Sequence, residues 1–98
     1  MKRSLQQNKL YHGYATQLYN SKEVSVYDGR FTEYGYPNPF RFRPSAFSYD
    51  TFRDLMKALD FEYCRDDQGR PLSSAKVSVD VMGKHLMFLE CLLSEKLN

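Results

Sequence analysis

The sequence predicts an α+β fold, three helices packed with a small antiparallel β element, on two observations. Apolar residues recur at three-and-four spacing near both ends of the chain and again after residue 48, whereas the middle third alternates and is broken by glycine and proline. Length adds a bound: 98 residues suit one domain, 1–98, and a chain of this mass should bury roughly two-thirds of its unfolded surface.

The first helix is predicted from Leu5. Ser4 followed three residues later by Gln7 is a capping box, in which each side chain serves the other residue's backbone N–H. Leu10, Tyr14 and Leu18 then fall on one stripe, with Tyr11, Ala15 and Tyr19 beside it. Asn20-Ser21-Lys22 breaks the helix. Glu23 to Tyr27 alternates as a strand and runs into Asp28-Gly29, the dipeptide preferred in a two-residue type I′ turn, so Arg30 to Tyr34 is expected to return as the second strand of a hairpin. Gly35, Pro37, Asn38 and Pro39 interrupt any regular element, and Phe40 to Arg43 alternates again as an extended segment that Pro44 ends.

Ser48 or Asp50 can cap a second helix whose Phe52, Leu55, Met56 and Leu59 share one face, with its end near Asp60. Phe61, Tyr63 and Cys64 are read as a short strand, and Asp66 to Pro71 as a turn. Ser78 caps the last helix, where Val79, Met82, Leu86, Leu89, Leu93 and Leu97 form the strongest periodic pattern in the chain, joined by Phe88 and Leu92. A helix apolar over more than half its circumference is buried on more than one side. Either the core takes all of it, or part meets a second copy in a homodimer through the C-terminal helix.

Composition excludes more than it specifies. Fourteen Lys and Arg against 12 Asp and Glu leave a net charge of +2, too small to demand a polyanionic partner, but residues 1–49 carry +4 and residues 50–98 carry −2. If the fold segregates the halves, one face is basic; if the chain folds back on itself, the signs mix. Cys64 and Cys91 are far apart, without a Cys-x-x-Cys or metal-ligand spacing, so no metal, disulfide or other cofactor is expected and both thiols are read as buried. No apolar run is long enough for a membrane span and the N-terminal segment reads as capped helix rather than signal peptide, which places the expected site of action in the cytoplasm.

Chemistry-bearing patterns are few. His12 and His85 have no sequence-adjacent carboxylate or nucleophile, and there is no glycine-rich phosphate loop, nucleophile elbow or Asp-x-Asp pair, so the chain reads as no enzyme and no catalytic residue is assigned. Binding has two candidates. Lys2, Arg3 and Lys9 crowd the start of the first helix, where backbone N–H groups and the macrodipole already favour an anion. In the middle segment, Arg30, Phe31, Tyr34, Tyr36, Phe40, Arg41, Phe42 and Arg43 interleave cations with flat rings, the combination that holds single-stranded nucleic acid by stacking and phosphate neutralisation. Strand alternation limits this second site. Phe40 and Phe42 must share one face of the extended segment and Arg41 and Arg43 the other, which equally suits rings in the core and arginines in water.

The opening Arg3-Ser4-Leu5-Gln6-Gln7-Asn8, followed by an aromatic, resembles the Arg-Ser/Thr-Leu-x-Gln-Asn segment of small phage proteins around the NinB-type recombination family. The resemblance covers residues 2–20 and, more loosely, 45–97, where Tyr49 to Met56 is similar to the family's second helix and Ser73 to Val79 to the lead into its last one. It does not extend to residues 21–44. It implies a phage-type accessory protein of recombination or replication that binds single-stranded DNA in the host cytoplasm. The other expectation is a small protein-binding module that docks on a host defence or replication factor through the aromatic middle segment.

Overall fold

In a computed structural model, which describes residues 5–73 and 76–97, the chain is α+β. Helix α1 spans Leu5–Tyr19, strand β1 Val24–Val26, a one-turn helix α2 Arg30–Glu33, strand β2 Phe40–Phe42, a 3-10 turn Pro44–Ala46, helix α3 Tyr49–Leu59 and helix α4 Val79–Leu97. The strands form a two-stranded antiparallel sheet in which Val24 pairs with Phe42, Ser25 with Arg41 and Val26 with Phe40.

Helix α1 lies chiefly along α4. Its inward row is Tyr11, Ala15 and Leu18, all buried, while Leu10 is 38% exposed, so the inner face keeps Leu18 of the expected stripe and takes Tyr11 and Ala15 from the row beside it. Ser4, the expected cap, lies outside the described residues; the Gln7 side-chain amide donates to the Val79 carbonyl at 3.1 Å, tying the first turn of α1 to the first turn of α4. Two further caps form as expected. Ser48 Oγ accepts the Thr51 N–H at 3.2 Å, and Ser78 Oγ accepts the Val81 N–H at 3.2 Å.

Helix α4 presents Met82, His85, Leu86, Leu89 and Leu92 to the core, and Asp80, Lys84, Met87, Glu90, Cys91 and Ser94 to solvent. Cys64 is half-buried and Cys91 exposed, correcting the reading of both as buried. Phe52, Met56 and Leu59 of α3, Val24 and Val26 of β1 and Phe31 of α2 complete the core, with Phe40 and Phe42 packed against its edge. The sheet therefore turns its Phe face inward and Arg41 outward, as alternation requires.

The expected hairpin through Asp28-Gly29 does not form. A type I′ turn needs positive φ at both central residues, and Gly29 instead sits at φ −58°, ψ −24°, in the right-handed helical region. The Asp28 carboxylate accepts the Arg30 N–H at 2.9 Å and the Asp28 carbonyl accepts the Phe31 N–H at 3.0 Å, starting a helical turn that buries Phe31. A strand over 30–34 would have left that ring without this burial, and β1 finds its partner in β2 instead.

The short strand expected at Phe61 to Cys64 is also replaced by a turn. Asp60 caps the end of α3, its carboxylate accepting the Glu62 N–H at 3.1 Å and its carbonyl the Tyr63 N–H at 3.0 Å. Beyond it only an isolated bridge joins Arg65 to Pro71. The Asp66 to Pro71 turn does form, with Gly69 at φ +79° and the Arg70 carbonyl accepting the Asp66 N–H at 2.8 Å.

Leu89 is 1% exposed at the centre of this core, so Leu89→Ala should cost about 2 to 5 kcal/mol in denaturant unfolding. A loss that varied with protein concentration would reveal a dimer contact on α4.

Candidate functional site

An aromatic groove is built around α2. Phe31 forms its floor, and the helix ends in a glycine-dependent turn: Gly35, at φ +80°, donates to the Thr32 carbonyl at 3.2 Å, and the Tyr36 N–H donates to the Phe31 carbonyl at 2.7 Å. This paired closure is the Schellman motif, which reverses the chain immediately after a helix. It leaves Tyr34 and Tyr36 on the surface, 63% and 55% exposed.

Each tyrosine leans on a second ring. Tyr34 packs on Phe61 with centroids 5.6 Å apart, Tyr36 packs edge-on to Phe40 at 6.5 Å, and Phe31 touches Phe61 at 5.3 Å and Phe40 at 5.9 Å. Leu55, Ala58 and Leu59 of α3 form the remaining apolar wall and Arg65 the rim of a groove of about 580 Å³. Arg65 donates to the Ala58 carbonyl at 2.7 Å and the Gly69 carbonyl at 3.3 Å, and no described carboxylate pairs with it. It is the only charged side chain among the described lining residues.

Of the basic and aromatic residues singled out in the sequence, the fold gathers Tyr34, Tyr36 and Phe40 and separates them from most of the cations. Arg41 and Arg43 are exposed, Arg41 on the sheet face opposite Phe40. Lys9 is exposed on α1, and Lys2 and Arg3 lie outside the described residues. Arg30 is near the rings but occupied: its Nε and Nη2 donate to the two Asp28 carboxylate oxygens at 3.0 and 2.8 Å, and its Nη1 to Glu62 at 3.0 Å. Phe31, part of the same interleaved segment, joins Tyr34, Tyr36 and Phe40 as the floor, whereas Phe61, Arg65 and the α3 residues Leu55, Ala58 and Leu59 are the groove residues that sequence reading missed. Phe61 reads in the sequence as part of a short strand, and only its aromatic type points to the site.

A second cluster is buried. The Asp60 carboxylate meets His85 Nδ1 at 2.9 Å, with His85 1% exposed among the rings of Tyr11, Tyr63 and Phe88. Lys57 is buried beside them, its ammonium 5.7 Å from the Tyr11 ring centroid and 5.8 Å from that of Tyr63. Almost wholly buried, this cluster fixes the end of α3 against α4.

Among the described residues no group of His, Cys, Asp and Glu is arranged to hold a metal ion, and no helix is long and apolar enough to cross a membrane. No protein-family model, curated protein or solved structure matches this chain.

The hydrogen bonds from Arg30 hold the Asp28 carboxyl below the ordinary carboxylate range. A carboxyl pKa lowered by folding contributes stability that is complete above the unfolded value of about 3.9 and is lost as the pH falls through the folded value. Asp28→Asn should therefore shrink the drop in Tm that the unmodified chain shows between about pH 5 and about pH 2, measured by thermal scans across that interval.

Proposed function

We propose that this chain binds single-stranded nucleic acid, preferably DNA, by stacking bases in the Tyr34–Tyr36 groove, as a non-enzymatic accessory to recombination or replication. One observation carries the reading: the groove is walled by aromatic rings, and its one charged lining residue is a guanidinium without a carboxylate partner among the described residues. Every base has a flat face, so stacking holds a strand without reading its sequence, at about 1 to 3 kcal/mol per base. Arg65 spends two of its five N–H donors on neutral carbonyls, which leaves its charge uncompensated and donors over for a phosphate at the rim. The similarity of the Arg3 to Asn8 segment to NinB-type proteins supports the same class.

Because Arg41 lies on the sheet face opposite Phe40, Arg43 lies outside the groove lining and Arg30 is already paired, stacking rather than charge would dominate binding. The salt dependence would be shallow. A protein partner is the second reading, favoured by the apolar wall of Leu55, Ala58 and Leu59, since exposed tyrosines around an apolar patch also suit an interface core.

Fluorescence anisotropy with labelled oligo(dT) across a salt series separates the two. Tyr34→Ala and Tyr36→Ala should each weaken binding by about 1 to 3 kcal/mol at every salt concentration with the slope unchanged. Arg65→Gln should lower the slope of log affinity against log salt by about 0.7, one single-strand phosphate. Absence of binding by the unmodified chain at low salt would overturn the nucleic-acid reading and leave the groove as the place to seek a protein partner.

A further inference from the structure

We propose that Arg30 is a positioning residue for the stacking groove and not one of its phosphate contacts, an inference that rests on the nucleic-acid reading of that groove. Phe61 stands as a wall between two concavities. On one side is the aromatic groove; on the other is a cleft of about 320 Å³ whose lining includes Asp28, Arg30, Asp60, Glu62 and Lys84. Arg30 lines only the second, with its guanidinium carbon 4.8 Å from the Phe61 ring centroid. A ligand stacked on the groove face of Phe61 therefore has the ring between itself and Arg30.

Two further observations oppose phosphate binding at Arg30. Its fork is filled, with Nε and Nη2 on Asp28 and Nη1 on Glu62, so a phosphate would have to displace a carboxylate. Asp28, Asp60 and Glu62 also outnumber Arg30 and Lys84 in that cleft, which makes its formal charge negative. What this fixed guanidinium does is press on Phe61. Phe61 in turn supports Tyr34 at 5.6 Å and Phe31 at 5.3 Å, so the clamp Asp28–Arg30–Phe61 sets the wall against which a base would stack. Lysine cannot replace it, because a flexible ammonium has neither the planar stack nor the two-pronged hold on Asp28.

The test uses the full chain and fluorescein-labelled oligo(dT) over a salt series, with far-UV circular dichroism to establish folding. Arg30→Gln and Arg30→Lys should both weaken binding by about three- to tenfold, with the salt slope of the unmodified protein retained. Asp28→Asn, which leaves Arg30 in the chain but loosens its hold, should also weaken binding, and it decides the matter alone if the Arg30 variants do not fold. The proposal is overturned if Arg30→Lys binds as the unmodified protein does, if the slope of Arg30→Gln drops by about 0.7, or if Asp28→Asn tightens binding by freeing Arg30 for phosphate. Failure of the unmodified protein to bind removes the nucleic-acid reading itself and this role with it. Binding by the unmodified protein together with any of the three preceding results removes only the role assigned to Arg30.

Discussion

The rest of the structure depends on Asp60. One carboxylate oxygen is held 2.9 Å from His85 Nδ1 of α4 and the other accepts the Glu62 N–H, while its own N–H donates to the Met56 carbonyl at the end of α3. A single side chain thus stops one helix, shapes the turn that follows and pins both to another helix. Removing one member of such a buried hydrogen-bonded pair commonly costs about 1 to 3 kcal/mol, because the remaining polar group keeps its desolvation penalty without its partner. The consequence for the surface is directional: the turn at Asp60 sends Tyr63 into the core and Phe61 toward the groove.

A second polar centre governs the opposite wall. Asp28 spends its carboxylate on the Arg30 backbone and guanidinium, which begins α2 where the Asp-Gly dipeptide would otherwise have favoured a tight hairpin. Burial of Phe31 rewards that choice, and the left-handed Gly35 ends the helix after a single turn. The two tyrosines beyond are displayed because the chain must reverse there. Groove and core are therefore products of the same local chemistry, with Phe31 serving as floor for one and filling for the other.

This arrangement changes the weight of charge and stacking in the proposed interaction. A nucleic-acid site assembled from Arg41, Arg43 and the N-terminal lysine and arginine would draw its affinity mainly from counterion release. A groove whose one cation among the described lining residues is Arg65 would draw on ring area instead, and Arg30, stacked on Phe61 from the neighbouring cleft, would act from behind that ring.

Sequence by itself determined the three long helices, the serine caps of two of them at Ser48 and Ser78, the alternating segments at Glu23 to Tyr27 and Phe40 to Arg43, and the opposite facing of Phe40 and Arg41, because these follow from spacing and from bonds spanning a few residues. It singled out Tyr34, Tyr36 and Phe40, but not that they would meet Phe61 and Arg65, nor that His85 would find Asp60 some 25 residues away. Local propensity also pointed the wrong way at Asp28-Gly29, where a hairpin turn and a helical turn are both acceptable to the backbone. Only the tertiary structure could choose between them, since the choice turns on where Phe31 can be buried and on carboxylates and rings brought together from distant parts of the chain.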